Sequence, residues 1–451
     1  MDLLLLKILQ TIGTLRKHER WTRTHLKVYQ SKALQQLREY AYAHSLFYQR
    51  FHKGLFERPL QDLPVLTKSM LMEYFDDLMT DRSVHLDAVR AFSENKKEDH
   101  LFLDRYRVTA TSGSTGRPGF FLFNPQEWST IVASFARGQE WAGLNVSIFH
   151  QRKMATVASI SPWHMSSQVA KTATSWWTPS LRLPSTDSLE SIVQELNRWQ
   201  PNILIAYASM ARILADEQLA GHLHIQPQKT FTSSEVLTEE TRHLVKSAWG
   251  DEPFNQYGAT ETADIAAEYS TCRHMHLFED LVIGEVVDEN YRPVPAGSYG
   301  SKLLVTTLFS RTQPLIRYEL NDRVRLSTES CSSDLPFAVL ESIQGRVEET
   351  LSFPAKSGGR VAVQSLFFNR IMDILPVSGW QVIQNADDTL TVLLSGAHDD
   401  LREDDLMNTL MQALTALGVQ DATVRVQNVS TIPKTSAGKA PLIKAYNRVR
   451  S

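Results

Sequence analysis

A short stretch of glycine and hydroxyl residues has the side-chain types that hold phosphate groups. It lies within residues 109–123, which read TATSGSTGRPGFFLF. Its hydroxyl residues and glycines are Thr111, Ser112, Gly113, Ser114, Thr115 and Gly116. Glycine lets several backbone N–H groups approach a bulky anion, the hydroxyl groups add donors, and Arg117 adds a permanent cation. The combination suits a polyphosphate, and on these residues alone a polar surface turn is an equally open interpretation.

The residues that flank this stretch predict its local structure. Val108 and Thr109 before it, and residues 120–123 after it, are the branched and aromatic types of β-strands. The glycines and Pro118 between them indicate a tight turn. We therefore expect a loop between two strands. It is not the common nucleotide loop, because the Gly-Lys-Ser/Thr sequence that opens a helix there does not occur in this stretch.

The sequence TSGSTGRP resembles the phosphate-loop signature of the adenylate-forming superfamily, which includes acyl- and aryl-CoA ligases, adenylation domains and luciferases. The similarity is greatest to its phenylacetate-CoA ligase branch. Further motifs follow in the family's order over about residues 40–445, beginning with Phe47-Tyr48 and the segment LPVLTK at 63–68. The resemblance implies an enzyme that activates a carboxylic acid with ATP as an acyl-adenylate, releases pyrophosphate and passes the acyl group to a thiol.

A second motif, YGATE at 257–261, resembles the family's YGxTE segment. The resemblance implies that Glu261 helps to hold Mg²⁺ with Thr115. It also assigns a set of residues to the nucleotide site, namely Thr111, Ser112, Gly113, Ser114, Thr115, Gly116, Ser234, Glu235, Gln256, Tyr257, Gly258, Thr260 and Asp322. Mg²⁺ favours one or two carboxylates beside phosphate oxygens, so Glu261 is suited to that role. The alternative is a solvated Glu after a strand.

Two motifs further along resemble the ribose site and the hinge of the family. In PLIRYELND, the resemblance implies that Asp322 accepts hydrogen bonds from both ribose hydroxyl groups, which suits a group that is acceptor-only when ionised. A surface-turn Asp is the alternative. In GRVEE, it implies that Arg346 approaches the nucleotide as a catalytic residue and that Glu348 is the pivot of the small domain. The family usually has Asp at that pivot.

The C-terminal sequence PKTSAGK matches a motif whose last lysine, here Lys439, bridges the incoming carboxylate and the α-phosphate. Bringing these two anions together is costly. At about 4 Å and an effective dielectric of about 20, a pair of unit charges repels by about 4 kcal/mol, on the order of a thousandfold in rate. A cation at this position would cancel that repulsion. Lysines are commonly solvated, and we expect that for Lys434 or Lys444.

The acyl pocket is assigned by the positions that line it in related enzymes. These are Trp163, His164, Tyr207, Ser209, Met210 and Ala259. Trp163 or His164 would form the gate against the substrate. Such a lining favours an aromatic or planar acid over a long chain. Each of these residues is alternatively a core residue at a strand end.

A possible zinc site is incomplete. Some relatives have a Cys/His/Cys/Cys group at these points, and this chain has Cys272, His276 and Cys331, with Ser333 at the place of the remaining cysteine. Structural zinc takes four good ligands. We therefore expect no working zinc site.

Bulk composition limits the class of protein. The chain has 451 residues, 42% apolar and 22% charged, with 47 Lys+Arg against 50 Asp+Glu. This balance leaves no basic excess for a nucleic-acid partner, and the length predicts more than one structural unit. Two cysteines fit a reducing compartment, and the apolar run at 3–9 is too short for a membrane span. We expect a cytoplasmic protein without a transmembrane segment, and the sequence gives no oligomeric state.

The candidate residues must be positioned by alternating strands and helices. Strands are predicted at 154–160, 203–206, 230–232 and 254–256, with helices at 189–199, 211–219 and 239–249. Asn124-Pro125-Gln126-Glu127 predicts the start of another helix. This alternation predicts a doubly wound parallel sheet, and ligands bind outside the carboxyl ends of such strands.

The rest of the chain predicts two further units. Strands at 282–287 and 302–307, with a turn at Pro295-Ala296-Gly297, indicate a β-rich subdomain. Beyond residue 345, a hairpin at 380–394, a helix at 399–417 and a strand at 424–426 indicate a small α+β unit. We predict an α/β fold with an N-terminal adenylation domain at 1–347 and a small mobile C-terminal lid domain at 348–451.

The predicted partners are a small-molecule carboxylic acid, ATP and coenzyme A. Two alternatives keep the adenylate and change the acceptor, either to an amine or to the phosphopantetheine of an acyl carrier protein. A further alternative is a non-catalytic nucleotide-binding protein with the same fold. ATP–pyrophosphate exchange over a panel of acids would separate that last alternative from the enzyme.

Overall fold

The structure is a computed structural model that describes most of the chain. The described residues are 3–94, 100–111, 118–144, 151–174, 178–329, 331–346, 351–363, 365–372, 375, 377, 379–397, 401–435 and 439–446. Within them, helices come first and are followed by a long stretch in which strands and helices are mixed.

The N-terminal part is helical. Its helices are α1 Leu3–His18, α2 Arg23–His44, α3 Leu46–Phe51, α4 Lys68–Glu73, α5 Phe75–Leu78 and α6 Leu86–Glu94, with a 3-10 turn at Leu60–Asp62. Hydroxyl side chains fix where several of them begin. The side chains of Thr22, Ser45 and Thr67 accept a backbone N–H in the first turns of α2, α3 and α4.

The large central part alternates strands and helices. Its strands are β1 Arg107–Ala110, β2 Phe120–Phe123, β3 Met154–Ala158, β4 Ser180–Pro184, β5 Ile203–Tyr207, β6 Lys229–Ser233, β7 Phe254–Ala259, β8 Ala263–Glu268, β9 Met275–Leu277, β10 Val282–Val287, β11 Lys302–Thr307, β12 Tyr318–Leu320, β13 Asp322–Leu326 and β14 Val339–Arg346. Its helices are α7 Pro125–Trp141, α8 Met165–Ala173, α9 Leu189–Trp199, α10 Ala208–Leu219 and α11 Glu239–Trp249.

Half of the central sheet is parallel, as predicted. In the described part of the chain this sheet has nine strands in the order β13-β14-β9-β8-β7-β6-β5-β3-β4. The run from β7 to β4 is parallel. The edge strand β4 was not predicted. It contains Pro184, which an edge position tolerates because a ladder hydrogen bond on one side is not needed.

The other half of the sheet is antiparallel, and its strands lie beyond the stretch at 154–256 for which parallel strands were predicted. β8 pairs with β7, β9 with β8, β14 with β9 and β13 with β14, all antiparallel. Within β7 and β8 the register shifts by one residue after Tyr257. This hairpin lies at the middle of the sheet, next to the parallel half.

Two smaller sheets accompany the central one. β1 and β2 pair antiparallel, with Arg107 opposite Phe123 and Ala110 opposite Phe120, as the flanking residues predicted. β10, β11 and β12 form a three-stranded antiparallel sheet. In the predicted turn between β10 and β11, Gly297 has a φ of +83°, a conformation that glycine adopts without strain.

The C-terminal part has its own hydrophobic core. Its elements are β15 Leu351–Pro354, β16 Arg360–Val363, α12 Ser365–Met372, β17 Gly379–Gln384, β18 Leu390–Ser395, α13 Glu403–Ala416, β19 Val424–Val429 and β20 Ile443–Lys444. The last four strands form a sheet in the order β19-β18-β17-β20. We call residues 351–446 the C-terminal unit. The boundary at 347/348 falls outside the described residues and stays a prediction.

Helix α1 is fastened to the large part by a buried charged cluster. The guanidinium of Arg137, in α7, donates to both carboxylate oxygens of Asp280 at 2.8 and 2.6 Å, and His18 Nδ1 lies 2.8 Å from Asp280 Oδ2. Burial alone would raise the Asp280 pKa, but Arg137 and His18 outweigh it and lower that pKa to about 2. The cluster therefore keeps its charge in the fold.

Within the described residues, no helix has both the length and the apolar character needed to cross a bilayer. The cytoplasmic location stays a prediction.

Candidate functional site

A cleft of about 740 Å³ opens where strands of the central sheet end and the C-terminal unit begins. Many residues predicted from the motifs line it, namely Thr111, His164, Tyr207, Ser234, Glu235, Gln256, Tyr257, Gly258, Ala259, Thr260, Glu261, Asp322 and Lys439. They come from the ends of β1, β5, β6 and β7, from the start of β13 and from the C-terminal unit. The parallel strands bring their carboxyl ends to one edge of the sheet, which is why distant motifs meet there.

Tyr257 and Asp322 form a pair on the cleft wall. The Tyr257 hydroxyl donates to Asp322 Oδ2 at 2.7 Å, although the two residues are 65 positions apart. Asp322 is the first residue of β13 and is 8% exposed. An ionised carboxylate only accepts hydrogen bonds, and it has several lone pairs with which to do so. This arrangement suits the predicted contact with a diol.

Glu261 lies in the turn between β7 and β8. It is 8% exposed, lines the cleft and accepts a hydrogen bond from the Tyr318 hydroxyl at 3.3 Å. Mg²⁺ is held by one or two carboxylates together with phosphate oxygens and water, so a nearly buried Glu facing a polar cleft fits that ion. Thr115, the second residue predicted for Mg²⁺, lies outside the described residues.

Lys439 enters the cleft from the C-terminal unit. Its backbone is fixed by Thr435, whose N–H donates to Lys439 O at 2.8 Å and whose hydroxyl accepts from Lys439 N at 3.2 Å. The Lys439 ammonium lies 5.6 Å from the centroid of the Tyr207 ring, at the end of β5. The predicted lysine and the large part therefore face the same space.

Glu235 connects the two parts of the molecule. Its carboxylate accepts from Ser209 N at 2.9 Å and from Ala440 N at 3.0 Å, and Ala440 directly follows Lys439. Burial raises the Glu235 pKa, against the opposing effect of these donors and of the Lys439 charge. The motifs predicted that Glu235 belongs to the nucleotide site. The structure adds its contact with Ala440, which holds the segment that carries Lys439 beside β6.

His164 and Tyr207 line the cleft in uncharged forms. Burial, assisted by the positive charge of Lys439, lowers the pKa of His164 to about 4. Burial raises the pKa of Tyr207 to about 12, and its hydroxyl accepts from Ser159 N at 3.0 Å. Both rings therefore offer neutral surfaces to a bound molecule at neutral pH.

Three residues predicted for the acyl pocket lie outside the lining of the cleft. Met210 is 2% exposed and packs in the core around β5 and α10. Trp163 packs edge-on against Phe92, with ring centroids 5.7 Å apart. Ser209 donates its backbone N–H to Glu235.

Several predicted residues lie outside the described part of the chain. They are Ser112, Gly113, Ser114, Thr115, Gly116 and Arg117 of the phosphate loop, Glu348 of the hinge, and the side chain of Arg346. Thr111, just before the loop, is described. Its hydroxyl accepts from Gly119 N at 2.8 Å and from Lys68 Nζ at 3.3 Å, so it joins the two ends of the loop.

Among the cleft residues that sequence reasoning missed, Lys68 and Asp264 bear most directly on its chemistry. Lys68 lines it beside Thr111 and adds a cation near the base of the loop. The signal was present, since Lys68 ends the LPVLTK segment that resembles the branch. Asp264 also lines the cleft and is 2% exposed. The sequence pattern that could have identified Asp264 is an acidic residue inside the otherwise apolar run ADIAA at 263–267.

The cysteine and histidine group is an incomplete metal site. One ligand atom each from Cys272, His276 and Cys331 lie within 4.8 Å of one another. Ser333 approaches the same place, with its hydroxyl 3.3 Å from His276 Nε2. A hydroxyl is a weak substitute for the fourth thiolate of a structural zinc site, so the donor set does not fit that ion.

Comparison of the sequence with known proteins gives distant relatives. The chain is 24% identical over 252 residues to the phenylacetate-coenzyme A ligase of Thermus thermophilus, over 54% of this chain and 55% of that protein. It is 23% identical over 285 residues to the protein CapK of Staphylococcus aureus, over 60% of this chain and 55% of that protein. The chain thus spans about half the length of the curated relatives it matches. No protein-family model matches it.

Comparison of the fold gives a match over nearly the whole chain. A 2-hydroxyisobutyryl-CoA ligase in the postadenylation state, in complex with R3-HIB-AMP, superposes with a TM-score of 0.74 at 19% identity, covering 96% of this chain and 92% of that one. The same ligase in the thioesterification state gives a TM-score of 0.58 at 19% identity, over 95% and 92% of the two chains.

The chain has the fold of the adenylate-forming superfamily, as its motifs predicted. Within that superfamily, the sequence relatives support the phenylacetate-CoA ligase-like branch. The names of these relatives give no support to a carrier-protein partner.

Proposed function

We propose that this protein is an acid–thiol ligase that works through an acyl-adenylate. In the first step a carboxylate oxygen attacks the α-phosphorus of ATP, the bond to the bridging oxygen breaks, and pyrophosphate leaves. In the second step the sulfur of coenzyme A attacks the acyl carbon, and AMP leaves with the electron pair of the broken C–O bond. The observation that carries the proposal is that one cleft collects Glu261 and Asp322 from the large part and Lys439 from the C-terminal unit.

Lys439 would act in the first step. The carboxylate and the phosphate repel each other by about 4 kcal/mol for a single pair of unit charges at about 4 Å and an effective dielectric of about 20. An ammonium placed between them reverses the sign of that contribution. Lys439 lines the cleft, and Glu235 holds the adjacent residue Ala440 through its backbone N–H.

The nucleotide would lie along the ends of β7 and β13. Asp322, oriented by the Tyr257 hydroxyl, would accept from the ribose hydroxyl groups. Glu261 would hold Mg²⁺, which neutralises phosphate charge when it is bound. Lys68 and Thr111 would lie near the phosphates at the base of the loop.

The acid would be aromatic or planar. The rings of Tyr207, Phe135 and His164 line the cleft, and flat apolar walls of this kind suit a planar substrate. The match to a phenylacetate-coenzyme A ligase supports both this class of acid and coenzyme A as the acceptor.

ATP–pyrophosphate exchange tests the proposal without knowledge of the acceptor. The full chain would be assayed with benzoates, phenylacetates, anthranilates and fatty acids. We expect exchange with at least one aromatic acid and weaker exchange with fatty acids. Absence of exchange across the whole panel would contradict the proposal and favour the non-catalytic alternative.

Substitution of Lys439 separates the two half-reactions. We expect Lys439→Ala to slow adenylation by at least about 100-fold, on the scale of losing one oriented electrostatic contact, and to leave thioester formation from a supplied acyl-adenylate near its normal rate. Lys444→Ala is the matched control, because Lys444 lies in β20 and is not among the residues that line the cleft. Equal losses in both half-reactions would contradict the role given to Lys439.

A further inference from the structure

The hairpin of β7 and β8 contains a register shift that changes which way Asp264 faces. Gln256 pairs with Ala267 and Tyr257 with Ala266, but Gly258 pairs with Asp264, so Ile265 is one extra residue in β8. Ala263, at the start of β8, has a φ of +68°. Side chains alternate along a strand, and one extra residue moves the next side chain to the opposite face. The shift therefore places Asp264 on the same face as Gln256 and Gly258.

Contacts confirm this placement. Gln256 Nε2 lies 3.3 Å from Asp264 Oδ2. A Cβ added to Gly258 would lie 2.9 Å from Asp264 Oδ1, so only glycine leaves room for the carboxyl group at that position. Asp264 is 2% exposed and lines the cleft.

Strand β7 separates Asp264 from the predicted ribose contact. Tyr257 faces Asp322, whereas its neighbours Gln256 and Gly258 face Asp264. Phe135, on α7, lines the cleft and its carbonyl oxygen accepts from Gln256 Nε2 at 3.4 Å. Asp264 and Phe135 thus belong to the side of the cleft away from Asp322, which is where the proposed function leaves room for the acid.

Among the residues that the structure describes, no cation pairs with Asp264. The other buried acidic residue of β8, Glu268, is paired with Arg242 and lies 3.8 Å from Arg273. Asp264 forms no ion pair with the residues that the structure describes, and burial raises its pKa well above the ordinary value. Burial therefore favours the neutral acid, which both donates and accepts hydrogen bonds.

We propose that Asp264 is a specificity-determining residue, which selects aromatic acids that carry an uncharged hydroxyl or arylamine group remote from the reacting carboxylate. The inference rests on the proposed function and names its substrate class. An acid without such a group would place carbon atoms against the carboxyl group of Asp264. That carboxyl group would then lack a hydrogen bond to the substrate. Sites built around a buried polar group discriminate strongly against ligands that cannot pair with it.

The experiment uses matched pairs of acids in ATP–pyrophosphate exchange. Benzoate is compared with 3- and 4-hydroxybenzoate and with 3- and 4-aminobenzoate, and phenylacetate with its ring-hydroxylated forms. For the full chain we expect kcat/KM to be about 100-fold higher for the best hydroxylated or aminated member than for its unsubstituted parent.

Two substitutions of Asp264 test the cause of that preference. Asp264→Asn keeps the shape with a donor and an acceptor, so it should retain most of the preference. Asp264→Ala should reduce the preference to about threefold or less, while the KM for ATP changes by less than about threefold because Asp264 and Asp322 face opposite ways from β7. Thermal unfolding of both variants would show that they are folded.

Two results would overturn the inference. One is equal kcat/KM for the paired acids, or a preference for the parents, in the unmodified chain. The other is an equal loss for both members of a pair in Asp264→Ala. Absence of exchange with every acid is a different result, because it overturns the proposed function and the inference with it.

Discussion

The hydrogen bond between Tyr257 and Asp322 orients the carboxylate group of Asp322 on the wall of the cleft. A carboxylate that accepts from both ribose hydroxyl groups should distinguish ATP from 2′-deoxy-ATP, because loss of one hydroxyl removes a charge-assisted hydrogen bond. The Tyr257 hydroxyl orients Asp322 for this contact but does not itself bind the ribose.

We therefore expect the unmodified chain to use ATP at least about tenfold better than 2′-deoxy-ATP in pyrophosphate exchange. Asp322→Ala should lose most of that discrimination and raise the KM for ATP. Tyr257→Phe should weaken the discrimination by a smaller factor, since the carboxylate remains. If Asp322→Ala raised both KM values and kept their ratio, Asp322 would not be the ribose contact.

Some site residues could be found from sequence and others could not. Glu261, Asp322 and Lys439 were found because each lies in a motif with fixed spacing, and the fold brings all three to one cleft. Met210 and Trp163 were assigned to the acyl pocket by their positions in related enzymes. A residue at a strand end has the same apolar character in sequence whether its side chain faces the core or a ligand. Asp264 was missed because the direction of its side chain depends on a register shift that no local sequence pattern predicts.

Among the elements, helix α3 ends at a histidine whose surroundings oppose its protonation. His52 follows the helix, is 5% exposed, and lies between the rings of Tyr48 and Phe51, with centroids at 4.9 and 5.4 Å. Its Nε2 is buried without a hydrogen-bond partner among the described residues. Burial, with a smaller effect of Arg38, lowers its pKa to about 4.

This histidine should make stability fall in acid. Between the folded pKa of about 4 and an unfolded value near 6.5, the unfolded chain binds more protons, so the free energy of unfolding rises with pH. The expected loss between pH 7.5 and pH 5 is about 2 kcal/mol. Urea unfolding at the two pH values would show that loss reduced in His52→Leu and unchanged in His25→Leu, whose side chain is exposed. An equal loss in both variants would assign the acid sensitivity to other groups.

The elements show which sequence signals are sufficient for prediction. Helix α7 begins where expected, because Asn124 and Glu127 form a complete capping box and Pro125 occupies the first helical position. Strands β10 and β11 were also predicted with their observed bounds, since branched residues dominate them. The run ADIAAE of β8 has few residues that favour strands, and it becomes a strand because both neighbours pair with it.

For the whole molecule, the chain as a whole superposes better on one of two states of a known ligase. The two states of 2-hydroxyisobutyryl-CoA ligase match this chain over almost the same share of residues, but the TM-score is 0.74 for the postadenylation state and 0.58 for the thioesterification state. Contacts that hold the C-terminal unit against the large part include Ala440 with Glu235 and Arg212 with Val377 O at 2.8 Å.

Weakening one of these contacts should affect the two half-reactions differently. Glu235→Gln replaces the carboxylate that accepts from Ser209 N and Ala440 N with an amide that has a single acceptor oxygen. We expect adenylation to slow by about tenfold, on the scale of one charge-assisted hydrogen bond, and acyl transfer from a supplied adenylate to be unaffected. Glu217→Gln, which changes a carboxylate near His222, serves as the control. A similar decrease in both half-reactions would mean that Glu235 acts through the bound nucleotide instead.

The buried cluster of His18, Arg137 and Asp280 has a consequence for synthesis of the chain. His18 and its acceptor are separated by 262 positions, so the first helix cannot reach its final partner until most of the large part has left the ribosome. At about 5–20 residues per second, that delay is roughly 10–50 seconds. During it, the apolar stripe of Ile8, Ile12 and Leu15 has no completed surface to pack against, so a nascent-chain chaperone that shields short apolar helices would find its binding site in helix α1.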